Sequence, residues 1–272
     1  MEAGKPQTLQ SPLGMLAELT HRCPLGCPYC SNPLALDRRQ DELGIDTWTR
    51  VFREAAQLGI LQVHLSGGEP AARHDLVGIT AACHDAGLYC NLITSAVGLR
   101  VERLEALVAA GLDHVQISIQ DSTAVLADHI AGYNGAFARK CDIAAAVVRL
   151  KLPLTVNAVV HRRNIDRLSE MVALARNLGA SRIEIAHVQY YGWAIKNRAL
   201  LMPTKAQVKR AAVEVETLRA RHRGEIAIDA VIPDYYARYP KPCVGGWGRR
   251  SLNISPSGKV LPCHAAETIP GL

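Results

Sequence analysis

The chain has 272 residues, of which 49% are hydrophobic and 21% are charged. This balance is typical of a folded globular protein and excludes a disordered chain. The formal net charge is +6, and the basic pairs lie far apart in the sequence, so we interpret them as a solvated surface. Only two Phe residues are present, which leaves little for stacking nucleic-acid bases, and no nucleic-acid partner is expected.

The N-terminal residues, the lack of long apolar stretches and the cysteines together indicate the cellular compartment. Residues 1–14 contain no hydrophobic run, and no later window reaches the apolar length of a membrane span. We therefore expect an N-terminal extension at 1–14, a cytoplasmic location and no membrane partner. The eight cysteines are then not expected to form disulfides, because the cytosol keeps thiols reduced. Clustered cysteines indicate metal binding or reactive thiols instead.

Short runs rich in β-branched residues or Leu alternate with longer amphipathic stretches, which is typical of repeated βα units around a parallel sheet. Strands are predicted at 15–20, 61–66, 89–94, 114–120, 154–160 and 182–188. Helices are predicted at 47–59, 74–87, 100–111, 135–150, 164–179 and roughly 205–221. The predicted fold class is α/β, with a partial (β/α)6 TIM-like barrel over residues 15–224.

The segment from 225 to 272 differs in character from the rest of the chain. Its density of Pro and Gly rises, and helical patterns are missing from it. The stretch NISPSGKVLP at 253–262 predicts a β-hairpin that turns at Pro256-Ser257-Gly258. We expect a second module to begin here.

The most informative stretch is HRCPLGCPYCSN at 21–32, which places three cysteines in a C-x3-C-x2-C pattern after the first strand. Barrel enzymes build their active sites at this end of the strands. Pro24 and Pro28 discourage regular backbone hydrogen bonding, and Gly26 can take a positive φ. The loop can therefore direct its three thiolates toward a single metal centre. Three soft ligands suit an iron–sulfur cube with one open iron. Zinc bound with His21 is less favoured, since zinc sites usually pair C-x2-C units.

With Tyr29 just before the last cysteine, this pattern resembles the radical S-adenosylmethionine (SAM) enzymes, whose fold is a partial (β/α)6 barrel. The resemblance implies that Cys23, Cys27 and Cys30 hold a 4Fe–4S cluster. It also implies that SAM chelates the fourth iron, and that an electron from the cluster splits SAM to give a 5′-deoxyadenosyl radical.

Further motifs extend the resemblance to cofactor-binding residues. SGGEP at 66–70 matches the family motif that contacts the SAM amino group, and paired glycines allow a ligand to approach the backbone closely. QISIQD at 116–121 ends the fourth strand, where the family binds the SAM ribose and carboxylate. The residues to which the resemblance assigns cofactor binding are Tyr29, Gly67, Gly68, Glu69, Pro70, Ser118, Gln120 and Asn157. Residues 189–193 are expected near the adenine and substrate side.

Cys243 and Cys263 fit the pattern that opens the SPASM domain of peptide-modifying radical SAM enzymes. The resemblance implies that they are two ligands of an auxiliary iron–sulfur cluster, which is incomplete here. We therefore expect this chain to be the front part of a longer protein, with iron for well under three clusters. The other cysteines, Cys83, Cys90 and Cys141, are expected to be small buried residues.

Within that group, the resemblance is greatest to the peptide cyclases of pyrroloquinoline quinone (PQQ) biosynthesis. It is carried by LAELTHRCPLGCPYCSNPL, HLSGGEPAARHDL, VQISIQDS, IEIAHVQYYGWAIKNRALLMP and ISPSGKVLPCHAAETIPGL. It implies an oxidoreductase that joins a Glu side-chain carbon to a Tyr ring carbon of the precursor peptide PqqA. It also implies the peptide chaperone PqqD and an external electron donor as partners.

Three alternatives remain open at this point. They are another SPASM-type peptide-modifying enzyme, a cofactor- or RNA-directed radical SAM enzyme, and a non-enzymatic iron–sulfur sensor. The sensor is the least favoured, because it has no need for the GGEP or strand-four motifs. No residue is assigned as the acceptor of the Tyr ring proton.

Overall fold

The computed structural model describes residues 11–231, 233–241, 243 and 245–269. Its centre is one nine-stranded sheet, and most of the predicted extension at 1–14 lies outside the described residues. The strands are β1 (Gly14–Thr20), β2 (Gln62–Gly67), β3 (Tyr89–Thr94), β4 (His114–Ile119), β5 (Leu154–Val160), β6 (Arg182–His187), β7 (Ala227–Val231), β8 (Ser251–Ile254) and β9 (Val260–Leu261).

All six predicted strands are present, and β1 to β6 pair in parallel in sequence order. The expected number of parallel strands was nevertheless too low. β7 pairs in parallel with β6, and β8 pairs in parallel with β1, so both edges of the six-stranded sheet are extended. The alternating βα pattern could not indicate β8, because its partner strand lies more than 230 positions earlier in the chain.

Most of the helices pack against this sheet. They are α1 (Ile45–Leu58), α2 (Leu76–Asp85), α3 (Val101–Ala109), α4 (Ala124–Ala131), α5 (Ala136–Arg149), α6 (Leu168–Asn177), α7 (Trp193–Lys196), α8 (Arg198–Leu201) and α9 (Lys205–Arg221). The sequence predicted one helix between β4 and β5, whereas two are present. The unpredicted α4 is short and ends at Gly132, which adopts the left-handed conformation (φ 65°).

The core lies between the sheet and the helices. Central strands such as β4 and β5 bury Leu, Ile and Val side chains, as expected for parallel strands covered by helices. Trp48 and Phe52 on α1 are fully buried, and their rings stack at 5.6 Å between centroids. Among the described residues, no helix has the length and apolar character needed to cross a membrane.

The predicted hairpin at 253–262 is present, with β8 and β9 antiparallel. The backbone N–H of Ser255 donates to the carbonyl of Lys259 at 3.0 Å, and Gly258 has a positive φ of 95°. The segment after 225 therefore adds strands to both edges of the barrel sheet. The boundary of a second module at 225 stays a prediction.

Candidate functional site

The three clustered cysteines lie in the loop that follows β1, and neighbouring elements fix the course of that loop. The backbone N–H of Gly26 donates to the carbonyl of Ala131 at the end of α4 (2.8 Å). On the other side, Ala194 N–H in α7 donates to the Cys30 carbonyl at 3.1 Å. The Asn197 side chain donates to the Pro28 carbonyl at 2.9 Å. Gly26 itself does not adopt the positive φ that the sequence suggested.

Cys23, Cys27 and Cys30 line one cavity of about 360 Å³ at the carboxyl ends of the strands. All three side chains are at least partly accessible to solvent. Three soft thiol ligands in one loop, facing an open cavity, fit an iron–sulfur cluster that keeps one iron free for a further ligand.

The protonation of these thiols also depends on a bound metal. Burial raises the pKa of Cys27 and of Cys30, so the metal-free loop holds neutral thiols. A bound metal favours the thiolate form, and its binding releases protons. The Nδ1 of His21 accepts a hydrogen bond from the Asp37 backbone N–H (2.9 Å), so a metal could be bound only through Nε2, which has no hydrogen-bond partner among the described residues.

The two glycines of SGGEP line the cavity, and their small size is also needed for a close contact within the chain. A Cβ at Gly67 would lie 2.3 Å from the Thr20 carbonyl oxygen, and one at Gly68 would lie 2.5 Å from that of Arg22. Gly68 N–H donates to the Thr20 carbonyl at 2.6 Å. Because glycine has no Cβ, the end of β2 can lie in close contact with the start of the cysteine loop.

Glu69 and Pro70 are buried beside the cavity and are not among its lining residues. The Glu69 carboxylate accepts hydrogen bonds from the Thr94 hydroxyl (2.6 Å) and from the backbone N–H of Ser95 (2.6 Å). Thr94 and Ser95 do line the cavity. Glu69 thus ties the end of β2 to the end of β3, and direct contact between Glu69 and SAM stays a prediction.

Ser118 and Gln120 both line the cavity, as their spacing along strand four predicted, and so does Tyr29. The Gln120 side-chain amide donates to the Tyr29 hydroxyl at 3.0 Å. The opposite end of the same amide accepts from Lys140 on α5 (2.7 Å). Sequence reasoning missed Lys140, although its position within the apolar stripe of helix 135–150 was a usable signal.

Asn157 lines this cavity and also a second one of about 490 Å³ in the barrel interior. Its side chain donates to Glu184 on β6 at 2.8 Å, and Gln116 donates to the same carboxylate at 3.2 Å. His64 also faces the second cavity, and burial lowers its pKa. The interior below the cysteines is therefore polar and able to hold hydrogen-bonding groups of a ligand.

The end of β6 forms the remaining wall. His187, Gln189 and Tyr191 line the first cavity, whereas Trp193 lines a groove on the far side of the cysteine loop. Burial lowers the pKa of His187 to about 4, and the nearby charge of Lys241 adds to this effect, so the imidazole is neutral near pH 7. Only part of the 189–193 prediction therefore coincides with the site.

All eight cysteines are free. Cys243 is exposed in the loop before β8, and Cys263 is half-buried after β9, so their role as auxiliary ligands stays a prediction. Cys83 and Cys90 are buried as expected. Cys141 is only half-buried, so the expectation of full burial was wrong there, because its side of α5 faces partly outward.

The family model of the radical SAM superfamily matches residues 17–175 of the chain. The chain belongs to this superfamily and is an enzyme that uses a 4Fe–4S cluster and SAM. The matched range includes the cysteine loop, strands β2 to β5 and the second half of β1.

More specific relatives are proteins named PqqA peptide cyclase, and within the superfamily the chain belongs to their family. The protein from Methylocella silvestris is 66% identical over 267 residues, covering 98% of this chain and 72% of that protein. The one from Methylobacterium nodulans is 62% identical over 265 residues, covering 97% of this chain and 70% of that protein.

Solved structures show the same fold at low sequence identity. SuiB of Streptococcus suis, crystallised with S-adenosylmethionine, has a TM-score of 0.80 and 19% identity, covering 96% of this chain and 62% of SuiB. The chain thus spans less than two thirds of the SuiB length. Coproporphyrinogen III oxidase of Escherichia coli has a TM-score of 0.58 and 11% identity, covering 79% of this chain and 54% of that chain.

Proposed function

We propose that the enzyme modifies the precursor peptide PqqA by joining a Glu side-chain carbon to a Tyr ring carbon. The observation that carries this proposal is the 66% identity, over 98% of the chain, to a protein named PqqA peptide cyclase. A hydrogen atom is removed from the Glu γ-carbon, and the carbon radical adds to the ring. Loss of one proton and one electron then restores aromaticity, so the peptide loses two hydrogens in total.

The residues of this chain bind and orient the reactants. When bound at the three thiols, the cluster and SAM supply a 5′-deoxyadenosyl radical. Gly67, Ser118 and Asn157 line the cavity and would contact SAM bound there. The adjoining interior cavity, with Gln116 and Glu184, offers hydrogen-bonding groups to the peptide side chains. Closure of the cavity by the peptide excludes water from the reacting atoms.

The electron that leaves the ring needs an acceptor. We propose an auxiliary iron–sulfur cluster for this role, with Cys243 and Cys263 among its ligands. PqqD is the proposed carrier of the peptide, and an external donor is proposed to reduce the radical-generating cluster. These reactions are expected in the cytoplasm, where thiols stay reduced.

The experiment is an anaerobic assay of the iron–sulfur-reconstituted protein with SAM, dithionite, PqqA and PqqD, followed by mass spectrometry of the peptide. We expect a product lighter by two hydrogens, whose fragments place the link between Glu and Tyr. A PqqA peptide with that Glu replaced by Ala, and an enzyme with Cys27→Ala, are the matched controls and should yield no such product. Deoxyadenosine formation with an unchanged PqqA mass would contradict the proposed substrate and leave the superfamily assignment intact.

A further inference from the structure

Lys140 on α5 is a charged residue in an apolar environment. It is fully buried and shares the inner face of the helix with Ala136, Ile143, Ala144 and Val147. A buried ammonium group needs a compensating negative charge or a strong set of hydrogen bonds. Among the ion pairs of the described residues, none includes Lys140.

The lysine is connected to the cysteine loop by a continuous series of hydrogen bonds. Its Nζ donates to the Ser118 carbonyl at 2.8 Å and to the Gln120 side-chain oxygen at 2.7 Å. The Gln120 amide nitrogen donates to the Tyr29 hydroxyl at 3.0 Å. Tyr29 in turn hydrogen-bonds to the side chain of Cys27.

Several acidic groups lie near Lys140, and two of them belong to the candidate cluster site. Burial lowers the pKa of Lys140 to about 8, while Cys27, Glu69, Cys23 and Asp128, when ionised, act in the opposite direction. Two of these four groups are cysteines of the loop, and Cys27 has the largest effect of the four. When those cysteines are thiolates bound to iron, they add to the negative charge that the two carboxylates already supply to the buried ammonium group.

We propose that Lys140 is a positioning residue that raises the reduction potential of the cluster held by Cys23, Cys27 and Cys30. Reduction adds one unit of negative charge to the cluster, and Lys140 faces it from the buried side of the cysteine loop. A fixed cation close by stabilises the reduced state more than the oxidised state, because charges interact strongly in a low-dielectric interior. The proposal rests on the cluster alone and is independent of the identity of the peptide substrate.

The test is an anaerobic redox titration of the reconstituted chain, followed by electron paramagnetic resonance of the reduced cluster. Cys243→Ala and Cys263→Ala are present throughout, so that only the loop cluster contributes to the signal. Lys140→Met removes the charge and keeps the apolar volume. Arg149→Met is the matched control, since Arg149 lies on the same helix and is exposed.

We expect a more negative midpoint potential in Lys140→Met and no shift in Arg149→Met. The expected size is on the order of a tenfold lower ratio of reduced to oxidised cluster at a fixed potential. Coulomb's law gives this size for unit charges about 10 Å apart at an effective dielectric constant of about 20. An unchanged potential in Lys140→Met, at equal iron content, would overturn the proposal.

Two further variants separate charge from hydrogen bonding and from folding. Gln120→Leu keeps the lysine charge and breaks the connection to Tyr29, so a smaller shift is expected than in Lys140→Met. An equal shift would overturn the electrostatic assignment. Lys140→Gln keeps a hydrogen-bond donor and serves if the Met variant does not fold. If neither Lys140 variant folds while Arg149→Met does, Lys140 is a residue of core stability alone and the proposal fails.

Discussion

Replacing Gly68 by Ala places one methyl group between the end of β2 and the start of the cysteine loop. The added Cβ would lie 2.5 Å from the Arg22 carbonyl oxygen and 2.6 Å from that of His21, whereas ordinary contact begins at 3.4 Å. The clash is therefore 0.9 Å deep at the closer atom. Both atoms belong to the backbone, so no flexible side chain can move aside.

The substitution changes the free energy of unfolding in three ways. Overpacking a closely packed site costs about 1–3 kcal/mol. Separating the segments also stretches the bonds from Gly68 N–H to the Thr20 carbonyl (2.6 Å) and from Glu69 N–H to the Arg22 carbonyl (2.8 Å). Each such bond contributes about 0.5–1.5 kcal/mol. Ala also restricts the unfolded chain, which offsets about 0.4–1 kcal/mol. The net expected loss is about 1–6 kcal/mol in the free energy of unfolding.

The assay is urea denaturation of the metal-free protein, followed by circular dichroism, together with iron content after reconstitution. Gly26→Ala is the matched control in the same loop, because a Cβ there has no atom within 4 Å. We expect Gly68→Ala to lower both the unfolding free energy and the iron content, and Gly26→Ala to leave the unfolding free energy within about 1 kcal/mol. Equal stability of the two variants would refute the assignment of Gly68 to this close contact.

The remaining predictions concern histidine protonation, a helix cap and iron binding. Burial lowers the pKa of fully buried His161 from 6.5 to about 4, so between these values the unfolded chain binds a proton that the folded protein excludes. The unfolding free energy should therefore fall by up to about 3 kcal/mol as the pH drops through this window. Urea titrations at several pH values should show a weaker dependence of the unfolding free energy on pH in His161→Gln. An unchanged pH dependence in that variant would contradict this prediction. Thr204 caps α9 through the Gln207 backbone N–H, so Thr204→Ala should cost about 1 kcal/mol in thermal or urea unfolding, and no loss would mean that the cap is dispensable. Cys30→Ala should abolish most iron binding after reconstitution, whereas Cys83→Ala should not, and equal iron in both variants would count against the loop as the cluster site.

The βα alternation predicted β1 to β6 because each strand is a short apolar run flanked by helical patterns. The sheet edges could not be predicted in this way. The pairing of β8 with β1 joins segments at opposite ends of the chain, and nothing in the local pattern of SLNI specifies a partner. α4 was missed because an eight-residue helix carries only two turns of periodicity.

The candidate site was predictable where a motif fixes both the residue and its direction. The cysteines, Tyr29 and Gln120 all line the cavity because loop position and strand alternation determine where they point. Glu69 was placed only approximately, since its orientation depends on Thr94 and Ser95 from a different strand. Lys140 was missed because a lysine on a helix is normally solvated, and its burial follows from tertiary packing.

If the loop thiols hold the cluster at which SAM is cleaved, cleavage depends on each of them. Cleavage is measured directly as the amount of 5′-deoxyadenosine formed when reconstituted protein is mixed anaerobically with SAM and dithionite. We predict that the unmodified protein and Cys141→Ala form it, and that Cys27→Ala forms none. Equal amounts of deoxyadenosine from Cys27→Ala and the unmodified protein would contradict the assignment of the SAM-cleaving cluster to the loop thiols.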